Sequence, residues 1–398
     1  MAGSPIVIVG AGQGGMQAAA SLRDAGFDGP VTLVGAEPQP PYDRPPLSKQ
    51  YLNGEVDAAA LALRTPAFYQ NQDIDLRVDT RVAGIDRANA AVVLDSGARL
   101  PYERLILATG SIPRRLPVPG ADHPGVLVLR TLAQARVLRD RLAAPRRVVV
   151  IGAGFTGLEV AAAARSAGHE VTVIEALDRV LARAVSVPVS EHVTRLHRGR
   201  GVDIRFGRQV EAIEGEADGP LRAVRLAGGE SVPADLVVVG IGVVPDTALA
   251  AEAGLAVANG VVVDAYLRTS DPAIHAIGDC ALFPSPFADD PLRLESVQNA
   301  VDQAKCAAEF IAKDGLAARP YSAVPWFWTD QYSDKLQIAG ITTGHDRTEL
   351  AGDPEQGRFS VHCFRGERLV GVESINRPAE HIKARRQLAA AGTLAGAV

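Results

Sequence analysis

Two stretches of the sequence carry glycines at a spacing that suits the binding of a dinucleotide. They read IVIVGAGQGG at 6–15 and VVVIGAGFTG at 148–157. The glycines concerned are Gly10, Gly12 and Gly15, with Gly14 between them, and Gly152, Gly154 and Gly157. In a G-x-G-x-x-G turn the first glycine permits a tight bend, the second lets a pyrophosphate approach the backbone, and the third lets a helix lie close to the preceding strand. The N–H groups at the start of that helix then face the phosphates.

An acidic residue completes each unit. An Ala-rich helix follows the glycines, then a strand (VTLV at 31–34 or VTVI at 171–174), then Glu37 or Glu175. A carboxylate at this place accepts hydrogen bonds from ribose hydroxyls. The alternative is an ordinary strand–helix–strand crossover without a ligand, but the complete order of elements occurs twice. We therefore predict that one chain binds two dinucleotides.

The remaining apolar runs indicate how the two units are arranged. RLILATG at 104–110 and AIHAIGDCA at 273–281 are typical of buried strands that end in small residues, and VVVGIGVVP at 237–245 leads out of the second unit. The segment AAVVLDSGARL at 90–100 predicts a small antiparallel hairpin. The simplest layout inserts the second unit into the domain formed by the first.

We therefore predict an α/β fold with two Rossmann-like dinucleotide-binding domains, the second inserted in the first, and a C-terminal α+β domain. The first domain is predicted to comprise 1–110 and 245–320, the second 111–244 and the third 321–398. The third contains the alternating strands FSVHCF and RLVGVES and a last helix from about Pro378.

Composition narrows the function classes. The chain has 398 residues, 47% of them apolar and 22% charged, with a net charge of −5. This balance suits a globular enzyme and suggests no nucleic-acid partner. No apolar run approaches the length of a membrane span, and the first strand begins too early for a signal peptide before it, so we expect a cytoplasmic protein. The three cysteines form no C-x-x-C or C-x4-C redox pair and no metal-ligand cluster, so we expect no metal site.

Taken together, these motifs resemble the FAD-dependent, NADH-using ferredoxin reductases of bacterial haem monooxygenases and ring-hydroxylating dioxygenases. The resemblance covers essentially the whole chain. It rests on PYDRPPLSK at 41–49, ATG at 108–110, GFTGLEVAA at 154–162, GIGVVP at 240–245, AIGDCA at 276–281, ESVQNAVDQA at 295–304 and PWFWTDQ at 325–331. Thr156 and Asp246 depart slightly from the family pattern.

The resemblance implies that the first unit binds FAD and the second NADH. It assigns to FAD the residues Gly10, Gly12, Gly14, Gly15, Glu37, Arg44, Lys49, Val82, Ala108, Arg130, Asp279 and Val297. It assigns to NADH the residues Gly152, Gly154, Gly157, Glu175, Arg183 and Gly242. Val297 stands near the start of a predicted helix, whose positive end would face the side of the flavin that becomes negative on reduction.

Lys49 and Glu159 are the catalytic candidates beside the flavin. Lys49 is the only lysine before residue 305, and two prolines in DRPPLSK predict a rigid, extended strap that carries it. The resemblance implies that this lysine lies near the flavin and pairs with Glu159. The bland alternatives are a surface lysine and an acid at a helix start.

The resemblance also implies a partner, a two-iron, two-sulfur ferredoxin. The resemblance also makes Trp328 a catalytic candidate, beside the flavin at the face open to the ferredoxin, whereas we expect Trp326 to be a core residue. The residues Lys335, Arg377, Lys383, Arg385 and Arg386 would attract an acidic partner, although each could equally be a solvated surface charge. A monomer is the simplest expectation for the oligomeric state.

Two alternatives remain open at this point. One is another flavoenzyme of similar fold, such as an NADH oxidase or a disulfide reductase, although the missing cysteine pair argues against the latter. The other is a flavin-binding signalling protein that resembles apoptosis-inducing factor.

Overall fold

Two parallel sheets form the centre of the computed structural model, which describes residues 4–144, 146–216, 219–316 and 318–395. Strands and helices are numbered along the chain. The first sheet has the order β20-β7-β1-β2-β3. Its strands are β1 (Ile6–Val9), β2 (Val31–Val34), β3 (Ile74–Arg77), β7 (Arg104–Leu107) and β20 (Ile274–Ala276). Its helices are α1 (Gln13–Asp24), α2 (Pro66–Asn71) and α7 (Val297–Ala312), and α1 packs against α7. In β1, β2, β7 and β20 nearly all residues are buried, as in a parallel sheet covered on both faces, whereas the edge strand β3 exposes Asp75.

The second sheet repeats this arrangement with the order β12-β11-β10-β16-β9. Its strands are β9 (Val126–Val128), β10 (Arg147–Ile151), β11 (Glu170–Ile174), β12 (Asp203–Arg205) and β16 (Leu236–Val239). Its helices are α3 (Leu132–Arg141), α4 (Phe155–Ser166) and α5 (Val187–Gly199). All five strands lie in sequence between β7 and β20 of the first sheet, so the second unit is inserted in the first, as predicted. The exact boundaries at 110, 245 and 320 stay predictions.

Short antiparallel pieces join and flank the two units. β8 (Ser111–Pro113) pairs with β17 (Val243–Pro245) where the chain crosses between them. The predicted hairpin at 90–100 is confirmed, because β5 (Ala91–Leu94) pairs with β6 (Arg99–Pro101) beside β4 (Val82–Asp86). The other short elements are the helix α6 (Ala248–Glu252) and the strands β13 (Val210–Gly215), β14 (Leu221–Leu226), β15 (Ser231–Pro233), β18 (Val257–Ala258), β19 (Gly260–Val262) and β21 (Ala281–Leu282), of which β19 and β21 pair in parallel.

The C-terminal part is one antiparallel sheet covered by a helix. The sheet has the order β22-β23-β26-β25-β24. Its elements are β22 (Trp326–Gln331), β23 (Asp334–Gly340), β24 (Arg347–Asp353), β25 (Arg358–Arg365), β26 (Arg368–Ile375) and α8 (Pro378–Ala395). Leu336 and Phe359 share a core with Leu158 of the second unit, whereas Ala339 packs with Leu388 of α8. One face of this sheet is therefore applied to the second unit, which brings β22 against α4.

None of the helices in the described ranges is both long and apolar enough to cross a membrane.

Candidate active site

The first glycine turn leaves free space at Gly12, where a pyrophosphate would approach the backbone. Gly10 has φ +111°, and a Cβ there would lie 2.2 Å from the Ala108 carbonyl oxygen. A Cβ at Gly15 would lie 1.9 Å from the Gly10 carbonyl oxygen, so the fold itself requires both glycines. At Gly12, chain neighbours apart, no atom of the described residues comes within 4 Å of such a Cβ. The protein's own packing does not require Gly12, whereas a pyrophosphate approaching the backbone does.

The second turn repeats this pattern. Gly152 has φ +99°, and its added Cβ would lie 2.5 Å from the Gly240 carbonyl oxygen. A Cβ at Gly157 would lie 2.2 Å from the Gly152 carbonyl oxygen, whereas at Gly154 the nearest atom is 3.8 Å away. Both turns therefore fit the pyrophosphate of a dinucleotide.

Glu175 lies directly against the second turn. Its carboxylate accepts hydrogen bonds from the backbone N–H groups of Ala153 at 2.7 Å and Leu177 at 2.9 Å. The neighbouring Arg179 donates instead to the carbonyl groups of Val185 and Ala182. The carboxylate is thus fixed at the end of β11, where a ribose would lie, and Arg179 does not pair with it.

The polar residues predicted for the first unit form one connected network. Arg44 donates to Glu37 at 2.6 Å and to the backbone carbonyl of Arg130 at 2.7 Å. The Arg130 side chain donates to Asp279 at 2.9 Å. Glu37, Arg44, Arg130 and Asp279 are therefore brought together, as the assignment of all four to one cofactor requires.

The other predicted contacts are spread over the neighbouring elements. Val82 begins β4, and Ala108 follows β7 and donates its N–H to the carbonyl of Val9. Val297 begins α7, where the Ser296 hydroxyl accepts the N–H of Asn299 as a cap. Gly14 lies beside α7, Gly242 has φ +98° just before β17, and Arg183 is exposed between β11 and α5. Their roles stay predictions.

Lys49 and Glu159 meet where three parts of the chain converge. The Lys49 ammonium lies 3.0 Å from Glu159 of α4 and 3.3 Å from Asp330 of β22. The Glu159 carboxylate also accepts hydrogen bonds from the hydroxyls of Ser48, at 2.5 Å, and Thr329. Only 12% of the Lys49 side chain and 9% of the Glu159 side chain are exposed. The Lys49–Glu159 pair is therefore largely enclosed rather than a surface contact, and Asp330, at 35% exposure, lies on its outer side.

The segment that carries Lys49 differs from the predicted extended strap. Residues Pro45–Ser48 form a 3-10 turn, and the Lys49 N–H donates to the Pro46 carbonyl at 3.0 Å. The prolines favour this turn because their φ suits a first helical turn, where the missing N–H has no partner to lose. The segment is therefore coiled and not extended, and its rigidity stays a prediction.

An aromatic row lies on the same strand as Thr329. The ring centroids of Trp326 and Trp328 are 5.6 Å apart, and Phe327 lies 4.6 Å from Phe155 of α4. The Arg385 guanidinium of α8 lies over the Trp326 ring at 4.7 Å. Trp326 and Trp328 are both half-buried, so Trp326 is not the fully enclosed core residue that we expected.

Sequence reasoning missed the residues that complete these networks. They are Tyr42, which donates to Glu37, Ser111, which donates to Asp279, and Ser48, Thr329 and Asp330 around the Lys49–Glu159 pair. Tyr42, Ser48, Thr329 and Asp330 stand inside the motifs PYDRPPLSK and PWFWTDQ, and this position in a motif is the feature of the sequence that could have identified them.

The three cysteines, Cys280, Cys306 and Cys363, are all free. Cys280 and Cys363 are fully buried, and burial raises the pKa of the Cys306 thiol to about 11. Reactive thiols are exposed and have a lowered pKa, so these are structural side chains. Across the described ranges, no cluster of three or more His, Cys, Asp or Glu residues could hold a metal ion.

Replacing all three cysteines with alanine is therefore expected to leave the reduction of bound flavin by NADH within about twofold of wild type, since buried thiols act as small apolar groups. The melting temperature should fall, because three packed side chains are shortened. Stopped-flow bleaching of the FAD-loaded variant measures the rate. A folded, FAD-loaded variant that NADH cannot reduce would show that a thiol takes part.

Comparison with known proteins agrees with this geometry. Residues 4–304 match the pyridine nucleotide-disulphide oxidoreductase family and residues 326–397 match the reductase C-terminal family. The chain belongs to this family of reductases. It is 50% identical to rhodocoxin reductase of Rhodococcus erythropolis over 96% of this chain and 89% of that protein. It is 41% identical to rubredoxin-NAD(+) reductase of Pseudomonas putida over 94% of this chain and 96% of that protein.

A solved structure shares the whole architecture. The crystal structure of the covalent putidaredoxin reductase–putidaredoxin complex superposes with a TM-score of 0.93 at 43% identity, over 97% of this chain and 93% of that one. The protein is an oxidoreductase of the ferredoxin-reductase type, with FAD and NADH as its cofactors. Its family name includes a disulphide, but its own cysteines form no such pair.

Proposed function

We propose that this reductase passes electrons from NADH through FAD to a two-iron, two-sulfur ferredoxin that serves an oxygenase. The observation that carries the proposal is the position of β22. Trp328 directly precedes Thr329, whose hydroxyl donates to Glu159 of the enclosed Lys49 pair. One strand thus joins the candidate electron exit to the candidate flavin environment. The putidaredoxin named in the superposed complex supports a ferredoxin as the class of partner.

The residues present account for holding both cofactors. Gly10, Gly12 and Gly15 would hold the FAD pyrophosphate, and Glu37 its ribose. Gly152, Gly154, Gly157 and Glu175 would do the same for NADH. When bound, FAD accepts a hydride from NADH and gives up the two electrons one at a time.

The Lys49 cluster supplies a fixed cation in a nearly dry environment. Two carboxylates and the 3-10 turn hold the ammonium in place before any reaction begins. A preorganised charge of this kind stabilises developing negative charge without reorganisation. We assign that role to Lys49 and the anchoring of Lys49 to Glu159.

The partner would dock on the surface formed by α8, the end of β22 and the start of β23, which we call the α8 surface. Its exposed cations are Lys383 and Arg386 of α8 and Lys335 of β23, whose ammonium lies 3.9 Å from the Asp330 carboxylate. Arg377 donates to the Ala351 carbonyl and Arg385 stacks on Trp326, so these two are engaged within the protein. A local positive surface on a chain of net charge −5 suits the encounter with an acidic partner.

Changing Lys335 and Lys383 to glutamine together is expected to raise the apparent KM for ferredoxin about five- to tenfold, because an exposed ion pair contributes up to about 1 kcal/mol. The salt dependence of KM should flatten, since exposed charges steer encounter and are screened by salt. Flavin reduction by NADH should not change. The matched control is Lys313→Gln at the far end of α7, where Lys313 pairs with Glu309. An equal effect of that control would contradict a local docking surface.

The experiment that tests the proposed exit route is Trp328→Ala. It should slow reoxidation of the reduced enzyme by ferredoxin about tenfold or more, because small misplacements at a reacting contact have large kinetic costs. Bleaching of the flavin by NADH should be spared. Stopped-flow spectroscopy separates the two signals, and Trp328→Phe serves as the conservative control. If only the bleaching slows, Trp328 belongs to the nicotinamide pocket and not to the electron exit.

A further inference from the structure

Glu159 is the end of a buried hydrogen-bond chain that begins on α5. The His197 ring lies 3.0 Å from the Gln331 side-chain oxygen through Nε2. The Gln331 amide nitrogen donates to the Thr329 hydroxyl oxygen at 3.0 Å, and that hydroxyl donates to Glu159. Thr329 and His197 are fully buried and Gln331 is 1% exposed. The chain therefore runs through the interior from the second unit, across the C-terminal sheet, to the Lys49 pair.

The direction of every donor in this chain is fixed. Glu159 can only accept, so the single Thr329 proton points to it. The Thr329 oxygen is then free to accept from the Gln331 amide, which leaves the Gln331 oxygen to accept from His197. Burial lowers the pKa of His197 to about 4, so the ring is neutral at pH 7. Since the Gln331 oxygen can only accept, we assign the single ring proton to Nε2. Hydrogen bonds aligned in one direction polarise and strengthen one another in a low-dielectric interior.

We propose that His197, Gln331 and Thr329 are positioning residues that hold the Glu159 carboxylate, and through it the Lys49 ammonium, in place. This inference rests on the proposed role of Lys49. It adds to the Lys49 site residues that are distant in the sequence, since Thr329 and Glu159 are separated by 170 positions. Among the described residues, Ser48 and Lys49 also bond to the Glu159 carboxylate. The Tyr332 ring lies 5.0 Å from His197, and Arg200 lies over Tyr332.

The same helix offers a matched control. His192 of α5 bonds Asp334 of β23 at 2.7 Å, which also joins α5 to the C-terminal sheet. Asp334 is the β23 register partner of Gln331, so this link meets the chain through backbone pairing and not through a side-chain hydrogen bond among the described residues. His192→Leu therefore loosens the same interface and leaves the side-chain hydrogen bonds of the chain in place, whereas His197→Leu removes the first donor of the chain.

Lysine reactivity reports directly on Lys49 and requires neither NADH nor a ferredoxin. The sequence has five lysines, and Lys305 is well exposed, so it serves as the internal reference. Trace acetylation of the FAD-loaded enzyme, followed by peptide mass spectrometry, gives the Lys49-to-Lys305 ratio. Thr329→Val should raise this ratio about tenfold, because a hydrogen bond to a charged group is lost. Gln331→Met and His197→Leu should raise it by smaller factors in that order, and Thr329→Ser should restore it.

A second readout separates positioning from general damage. The limiting rate of flavin bleaching should fall in Thr329→Val and Gln331→Met, while the apparent dissociation constant for NADH stays unchanged. The proposal is overturned if Lys49 reactivity in Thr329→Val stays within twofold of wild type, or if His192→Leu raises it as much as His197→Leu. If Thr329→Val does not fold with FAD, Gln331→Met decides by the same criteria. If the wild-type enzyme reduces no ferredoxin but the labelling order holds, the proposed function fails and the positioning chain stands.

Discussion

Replacing Lys49 with methionine is expected to slow flavin reduction by NADH about a hundredfold or more, the scale on which one preorganised electrostatic group contributes. The change removes the cation that Glu159 and Asp330 hold at 3.0 and 3.3 Å. It also leaves Glu159 enclosed without a cation, and breaking a buried pair in this way costs about 3–5 kcal/mol of folding free energy. Stopped-flow bleaching and thermal unfolding of the FAD-loaded variant measure the two effects.

Two comparisons show whether the loss is specific to the pair. Lys305→Met removes an exposed lysine and should change neither the rate nor the melting temperature appreciably. The double variant Lys49→Met with Glu159→Gln should lose less than the sum of the single changes, because each single change leaves the other partner uncompensated. Strict additivity would mean that Lys49 and Glu159 act independently, contrary to their direct contact in the structure.

NADH is expected to be preferred over NADPH by at least about a hundredfold in kcat/KM, since an enclosed group left unpaired costs a few kcal/mol. The Glu175 carboxylate would face the 2′-phosphate of NADPH at close range. It is fixed there by the N–H groups of Ala153 and Leu177, so it cannot readily turn away. Arg179 is occupied by two backbone carbonyls and does not offset the repulsion.

The hydrogen bonds of Glu175 also predict how its variants behave. Glu175→Gln keeps the shape of the side chain and one acceptor oxygen. It should therefore reduce the kcat/KM preference for NADH over NADPH and weaken the binding of NADH. It should not produce an efficient NADPH enzyme, because the turn at Ala153 loses part of its support. Steady-state kinetics with both nucleotides provide the measurement. Equal kcat/KM for NADH and NADPH in the wild-type enzyme would show that Glu175 does not read the ribose.

The dinucleotide units could be predicted from sequence because their signals are local. Each consists of a strand, three glycines, a helix and an acid within about 30 residues, and the order of these elements fixes their relative places. The insertion of one unit in the other followed from where the remaining apolar strands stand. The prolines before Lys49 restrict the backbone, but this local pattern did not distinguish an extended strap from the 3-10 turn that the structure shows.

The surroundings of Lys49 could not be predicted in the same way. Ser48 and Glu159 are separated by 111 positions, and Thr329 and Glu159 by 170. Their contacts depend on how the C-terminal sheet packs on α4, which is set by apolar residues such as Leu336 and Leu158 rather than by the polar residues themselves. The sequence around His197 does not predict its contact with Gln331, because a histidine in an amphipathic helix is usually an ordinary buried residue.

The proposed delivery of electrons to a two-iron, two-sulfur ferredoxin is tested most directly by steady-state turnover with NADH. The measurement compares a purified ferredoxin encoded beside the reductase gene with oxygen as the sole acceptor. We expect ferredoxin to be reduced with saturation kinetics, at a rate far above NADH consumption with oxygen, and with two ferredoxins reduced for each NADH oxidised. Turnover with oxygen that ferredoxin does not increase would indicate an NADH oxidase. Flavin reduction without sustained turnover in either condition would indicate a flavoprotein of the apoptosis-inducing-factor type, and either result would contradict a role in electron delivery to ferredoxin.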